Sequence, residues 1–247
     1  MAASESVEVW IADLDAPVPA RCSGLLSDDE RARAAGLANE SARARWVASR
    51  AVLRALIGAF AGLSPRALSF ELGPHGKPRL ATPSLRSPGG GRPADGGRPA
   101  DGERRGGGEI CFNLSHSGPL AVYALARDRE VGIDVELVDR GPAAARNELA
   151  IARRLLGEEA QRRLARLPQA QRTEAFLREW TAYEARVKCL GLGIGAAREH
   201  PAAAGRLSEL TARLSDLAVT EIDVGEGAFA AVAAEGGQAC VRVRKWE

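Results

Sequence analysis

The sequence predicts an α+β protein of two comparable α/β lobes, spanning 1–128 and 129–247. Two observations predict it. The two halves follow a similar order of strand, two helices and short strands, without a residue-level repeat. Apolar residues recur with period two in the strand candidates and near 3.6 in the helix candidates, so each half can build a sheet and cover it. With 247 residues, 45% of them apolar, the chain can bury a core.

VEVWIA at 7–12 alternates and reads as the first strand. SDDE at 27–30 forms a capping box, Ser27 capping the amide of Glu30, and a helix follows to about Leu37. Next, Trp46, Leu53, Ile57 and Phe60 fall at helical spacing in a long helix that Gly62 and Pro65 end. Arg43, Arg50 and Arg54 share one face of it, which reads by itself as a solvated face. LSFELGPHGKPRL is a short strand and a Gly/Pro turn. Residues 87–108 repeat GGRPAD in tandem with almost no apolar residue, so a flexible surface insertion is expected, with a basic tether as the functional reading. ICFNLS, AVYALA and VGIDVE read as strands. Helices are expected over roughly 145–167 and 171–190, and LAVTEIDV, AFAAVAAE and ACVRVRKW as closing strands.

Composition narrows the function. A net charge of +2 argues against a polycation made for bulk nucleic-acid binding. The four cysteines form no C-x-x-C pair and the three histidines are scattered, so a His/Cys zinc site is not expected and reduced thiols in a cytoplasm are. No signal peptide or membrane-spanning stretch is expected.

Three stretches carry chemistry. In VGIDVE, strand alternation puts Val131, Ile133 and Val135 on one face and Asp134 and Glu136 on the other. Two neighbouring carboxylates repel unless a cation lies between them, and Mg²⁺ prefers carboxylate oxygens and phosphates. The bland alternative is an edge strand with an acidic solvent face. In REWTAYEARVK, Glu184 and Lys188 share a helix face and Trp180 stands one turn earlier; a surface ion pair beside a core tryptophan is the bland reading here. A third carboxylate is what an Asp-x-Glu pair needs to hold Mg²⁺ with open positions. Ser115 and His116 are adjacent, so in a strand they point to opposite faces and cannot act as nucleophile and base. Hydrogen bonding to phosphate suits them better.

Taken in order, LSDDE, the arginine-bearing helix, HGKPRL, FNLSHSG, VGIDVE and REWTAYEARVK resemble the Sfp-like class of 4′-phosphopantetheinyl transferases, whose hallmarks are FN-SHS, GID-E and W-x-x-KE-x-x-x-K. The resemblance covers roughly residues 7–195. It implies two similar lobes related by a pseudo-twofold, with the site between them. It implies transfer of 4′-phosphopantetheine from coenzyme A to a serine of an apo acyl or peptidyl carrier protein, releasing adenosine 3′,5′-bisphosphate, by a monomer without nucleic-acid or membrane partners. It implies Asp134, Glu136 and Glu184 as Mg²⁺ ligands, and Glu184 and Lys188 as catalytic residues. Coenzyme A contacts would come from Lys77, Ser115, His116, Lys188 and a long-helix arginine, Arg45 by spacing or else Arg43 or Arg50. The proton of the carrier serine would go to Glu184 or to a metal-bound water. One departure stands out: Tyr183 occupies the place of the family's usual lysine. An impaired homologue that only binds coenzyme A or carriers is the alternative that this departure supports.

Overall fold

The computed structural model describes residues 6–19, 22, 24–81, 108–139, 147–192 and 212–247. The insertion expected over 87–108 falls outside these residues, apart from Gly108.

The first strand, β1 (Ser6–Asp13), buries Val7, Val9 and Ala12. Helix α1 (Asp28–Ala35) starts with the expected capping box: Glu30 N donates to Ser27 Oγ at 3.3 Å and Ser27 N to Glu30 Oε2 at 3.0 Å. Helix α2 (Glu40–Ala61) is capped by Asn39 and stops at Gly62, whose φ of 68° suits a residue without a Cβ. Strands β2 (Phe70–Leu72) and β3 (Pro78–Leu80) form a hairpin around the HGKP turn. Three strands follow, β4 (Ile110–Ser117), β5 (Leu120–Arg127) and β6 (Val131–Leu137).

The helix expected over 145–167 is divided, which corrects the sequence reading. Helix α3 (Glu148–Ile151) runs into a π-helical turn, Ala152–Leu156, and α4 (Glu158–Ala165) starts afresh. Gly157 between them has φ 97°, which no helix tolerates, and Glu158 and Glu159 favour a new N-terminus. Helix α5 (Gln169–Cys189) is continuous, and β7 (Ala218–Ile222), β8 (Ala228–Ala234) and β9 (Cys240–Lys245) close the chain.

Besides the β2-β3 hairpin, the described strands form two larger sheets, one ordered β4-β5-β1-β9 and one ordered β6-β8-β7. The first contains the C-terminal strand: β9 pairs parallel with β1, Val9 opposite Val243. β9 lies in the second stretch, 129–247, and pairs with β1 of the first.

Alternation sorts the side chains into layers. Val122 and Ala124 of β5, Val131, Ile133 and Val135 of β6, and Val232 of β8 share one core between the sheets. On the outer face of the first sheet, Tyr123 and Leu125 meet Leu53, Leu56 and Ile57 of α2. On the outer face of the second, Ala231 and Ala233 meet Ala185 and Cys189 of α5. The order is helix, sheet, sheet, helix. Gly132 sets the spacing of the last two layers, since a Cβ there would lie 2.1 Å from the carbonyl oxygen of Ala185.

Candidate functional site

The edges of the two sheets meet where β4 runs beside β6. FNLSHS stays extended through Ser117, so Ser115 is buried and His116 exposed, on opposite faces as the alternation requires. The contacts across this seam come from side chains. Ser115 Oγ donates to Asp134 Oδ1 at 2.9 Å, and Ser117 Oγ to Glu136 Oε2 at 3.2 Å. Ile133 N donates to Asn113 Oδ1 at 2.9 Å and Leu137 N to Ser117 Oγ at 3.2 Å.

Asp134 is 4% exposed, so it is not part of an acidic solvent face. Close packing of α5 on β6 brings Lys188 to it: the ammonium donates to Asp134 Oδ1 at 2.5 Å and to Ser115 Oγ at 3.0 Å. A buried carboxylate needs such a counter-charge. Trp180 Nε1 reaches Glu136 Oε1 at 3.4 Å. Glu184 is 2% exposed on the same helix. Burial first, then the charge of Asp134, raises the Glu136 pKa above its ordinary range. The same two causes in kind, desolvation and then the Lys188 charge, lower that of His116, which favours neutral imidazole at pH 7.

The donor set suits a hard cation in kind: adjacent carboxylates on β6, one with a buried oxygen, Asp134 Oδ2, that has no hydrogen-bond partner. Among the described residues, no three His, Cys, Asp or Glu side chains are gathered closely enough to hold a metal ion. Lys188 instead supplies the positive charge at Asp134.

Two expected phosphate contacts are already engaged. Lys77 donates to Glu130 Oε2 at 2.5 Å, to Val131 O at 2.8 Å and to Cys189 O at 3.2 Å, using all three ammonium protons. It ties the HGKP hairpin to the start of β6 and the end of α5, and in this arrangement it is a strut with no donor left for a phosphate. Arg45 grips Asp15 through Nε and Nη2, at 2.7 Å each. Nor is the arginine face of α2 merely solvated: Arg54 is 2% exposed, binding Glu30 at 2.6 Å and the carbonyls of Pro65 and Leu68. Arg50 also binds Glu30, at 3.0 Å, and lies over the Trp46 and Phe70 rings. Glu30, Arg50, Arg54, Trp46, Leu68 and Phe70, with Arg33, Gly76 and Pro78, line a cavity of about 500 Å³. Phe70 meets Phe112 of β4 at 5.7 Å between ring centroids, so the cavity adjoins the strand that carries Ser115.

Sequence reasoning missed Asn113 and Ser117 as site residues. Their signal was present, because they share the parity of Ser115 in FNLSHS. The engagement of Lys77 with Glu130 had no local signal.

Residues 130–223 match the description of the 4′-phosphopantetheinyl transferase superfamily. That span contains Asp134, Glu136, Glu184 and Lys188. The chain is 28% identical over 187 residues to slr0495 of Synechocystis sp. PCC 6803, whose name assigns it provisionally to the 4′-phosphopantetheinyl transferases; the match covers 76% of this chain and 65% of that protein. It is 32% identical over 198 residues to the 4′-phosphopantetheinyl transferase HetI of Nostoc sp. PCC 7120, covering 79% of this chain and 73% of the relative. The chain thus spans just under two thirds of the first relative and more of the second. Similarity of that extent, on a mixed α+β fold, means that the chain belongs to the 4′-phosphopantetheinyl transferase family.

Proposed function

We propose that this protein transfers the 4′-phosphopantetheine arm of coenzyme A to a serine of an apo acyl or peptidyl carrier protein and releases adenosine 3′,5′-bisphosphate, with Mg²⁺. The buried cluster of Ser115, Asp134 and Lys188 beside Glu136 supports it most: carboxylate, hydroxyl and ammonium groups converge at a seam between two sheets.

Asp134, Glu136 and Glu184 would hold the cation once it draws them together, since they are not gathered closely enough without it. When bound, it supplies positive charge that neutralises the pyrophosphate and polarises the phosphorus under attack. Lys188 offers its charge to phosphate oxygens, Ser115 would reach them only by releasing Asp134, and His116 stands on the opposite face of the same strand end. Arg50, with the aromatic faces of Trp46 and Phe70, suits the adenosine phosphate end, since guanidinium binds phosphate and aromatic rings stack on purines. The carrier serine attacks the phosphorus that bears pantetheine, its proton passing to Glu184. The bond from that phosphorus to the adenosine bisphosphate oxygen breaks, and Lys188 offsets the charge that develops there. The free state of all four cysteines is in keeping with a cytoplasmic setting.

Carrier-dependent release of adenosine 3′,5′-bisphosphate, followed by chromatography, tests this. Asp134→Ala and Glu184→Ala should each slow it on the order of 100-fold, the scale of losing one preorganised electrostatic contact. Unchanged rates in both variants contradict the residue roles; release without a carrier points to hydrolysis instead. Tyr183, half-buried beside Trp180 at 6.2 Å between ring centroids, favours one second reading, a homologue that binds coenzyme A without turnover. Binding without release in the wild type, restored by Tyr183→Lys, is its mark.

A further inference from the structure

We infer that Ser117 is a positioning residue for this reaction, fixing both the carboxylate of Glu136 and the backbone beside it. The inference rests on the reading of Asp134 and Glu136 as metal ligands. Strands β4 and β6 belong to different sheets. The bonds that hold them in register come from alternate side chains of β4: Asn113 takes Ile133 N, Ser115 reaches Asp134, and Ser117 reaches Glu136 and Leu137 N. Three successive same-face residues on one strand thus locate Ile133, Asp134, Glu136 and Leu137 of the other.

Ser117, like Ser115, has its hydroxyl engaged as both donor and acceptor. A hydroxyl has a single proton. That of Ser117 goes to Glu136 Oε2, while its oxygen accepts from Leu137 N, and the side chain is buried. Nothing is left for it to donate to a substrate. Trp180 Nε1 engages the other oxygen of the same carboxylate, at 3.4 Å. Glu136 is therefore held at both oxygens, by β4 on one side and α5 on the other, and each oxygen keeps a lone pair. Mg²⁺ demands near-ideal octahedral geometry, so its affinity depends on how well each ligand is held. Loss of a group that orients a ligand typically weakens metal binding by about 10- to 100-fold.

The test is direct titration of the full chain with Mn²⁺, followed by electron paramagnetic resonance, with and without coenzyme A. Ser117→Ala is expected to bind Mn²⁺ at least about 10-fold more weakly. Ser117→Thr, which keeps the hydroxyl, should restore most of the loss. Metal-free coenzyme A binding should be the same in all, because Ser117 has no donor for it. Ser117→Cys, close in size but a weak donor, carries the test if the alanine variant does not fold, as judged by circular dichroism and the thermal midpoint. Equal Mn²⁺ affinity in folded wild-type, alanine and cysteine proteins overturns the role of Ser117 alone. Absence of Mn²⁺ binding by the wild type, even with coenzyme A, overturns the metal reading and this inference with it.

Discussion

Glu136 is a carboxylate whose ionised form its surroundings disfavour. Its pKa is raised by burial and then by Asp134, so the folded state holds the proton more tightly than the unfolded chain does. Its contribution to stability is therefore fully present below the unfolded pKa near 4.5 and is lost as pH rises through the raised folded value. As pH rises toward neutrality the protein therefore loses this contribution. Glu136→Gln is expected to raise the metal-free thermal midpoint at pH 7, to change it less near pH 4, and to weaken Mn²⁺ binding. A lower midpoint at pH 7 contradicts this account of the residue. The carboxylate pair was legible in VGIDVE because strand alternation alone puts Asp134 and Glu136 on one face. The partners of Lys77 and Arg54 were not, because Glu130 and Glu30 lie 53 and 24 residues away and no periodicity links them. Both cations looked like surface groups and both are buried struts.

At the scale of elements, the site depends on how closely α5 lies on β6. Gly132 permits that approach, and its neighbours Ile133 and Val131 anchor the strand in the core between the sheets. Gly132→Ala would force its methyl group into the α5 backbone near Ala185 and Cys189. The expected cost is about 1–3 kcal/mol of stability, as for other overpacked sites. Activity should fall further than stability, since Lys188 and Glu184 ride on the displaced helix. A Gly132→Ala protein of wild-type stability and rate contradicts this packing. Strands and long helices were legible because each has its own period: β1, α2 and α5 stand close to where the apolar pattern places them. The break at Gly157 was not, because an apolar pattern can run on through a glycine whose φ is positive.

At the scale of the molecule, two sheets share one core and two long helices cover their outer faces. The α+β class followed from the alternation of periods along the chain. The return of β9 to pair with β1 did not, because CVRVRK alternates equally well for either sheet and its partner lies at the other end of the sequence. That return fastens the C-terminus to the first sheet, so β4 is held on one side of the seam while β6 and α5 present the carboxylates and Lys188 on the other. The central claim is that this seam performs phosphopantetheine transfer. Its most direct test is the intact mass of apo acyl, peptidyl and aryl carrier domains after incubation with this protein, coenzyme A and Mg²⁺. The account predicts that at least one carrier gains one phosphopantetheine with the wild type, and gains it about 100-fold more slowly with Asp134→Ala. No mass gain on any carrier, or an equal rate of gain with the variant, contradicts it.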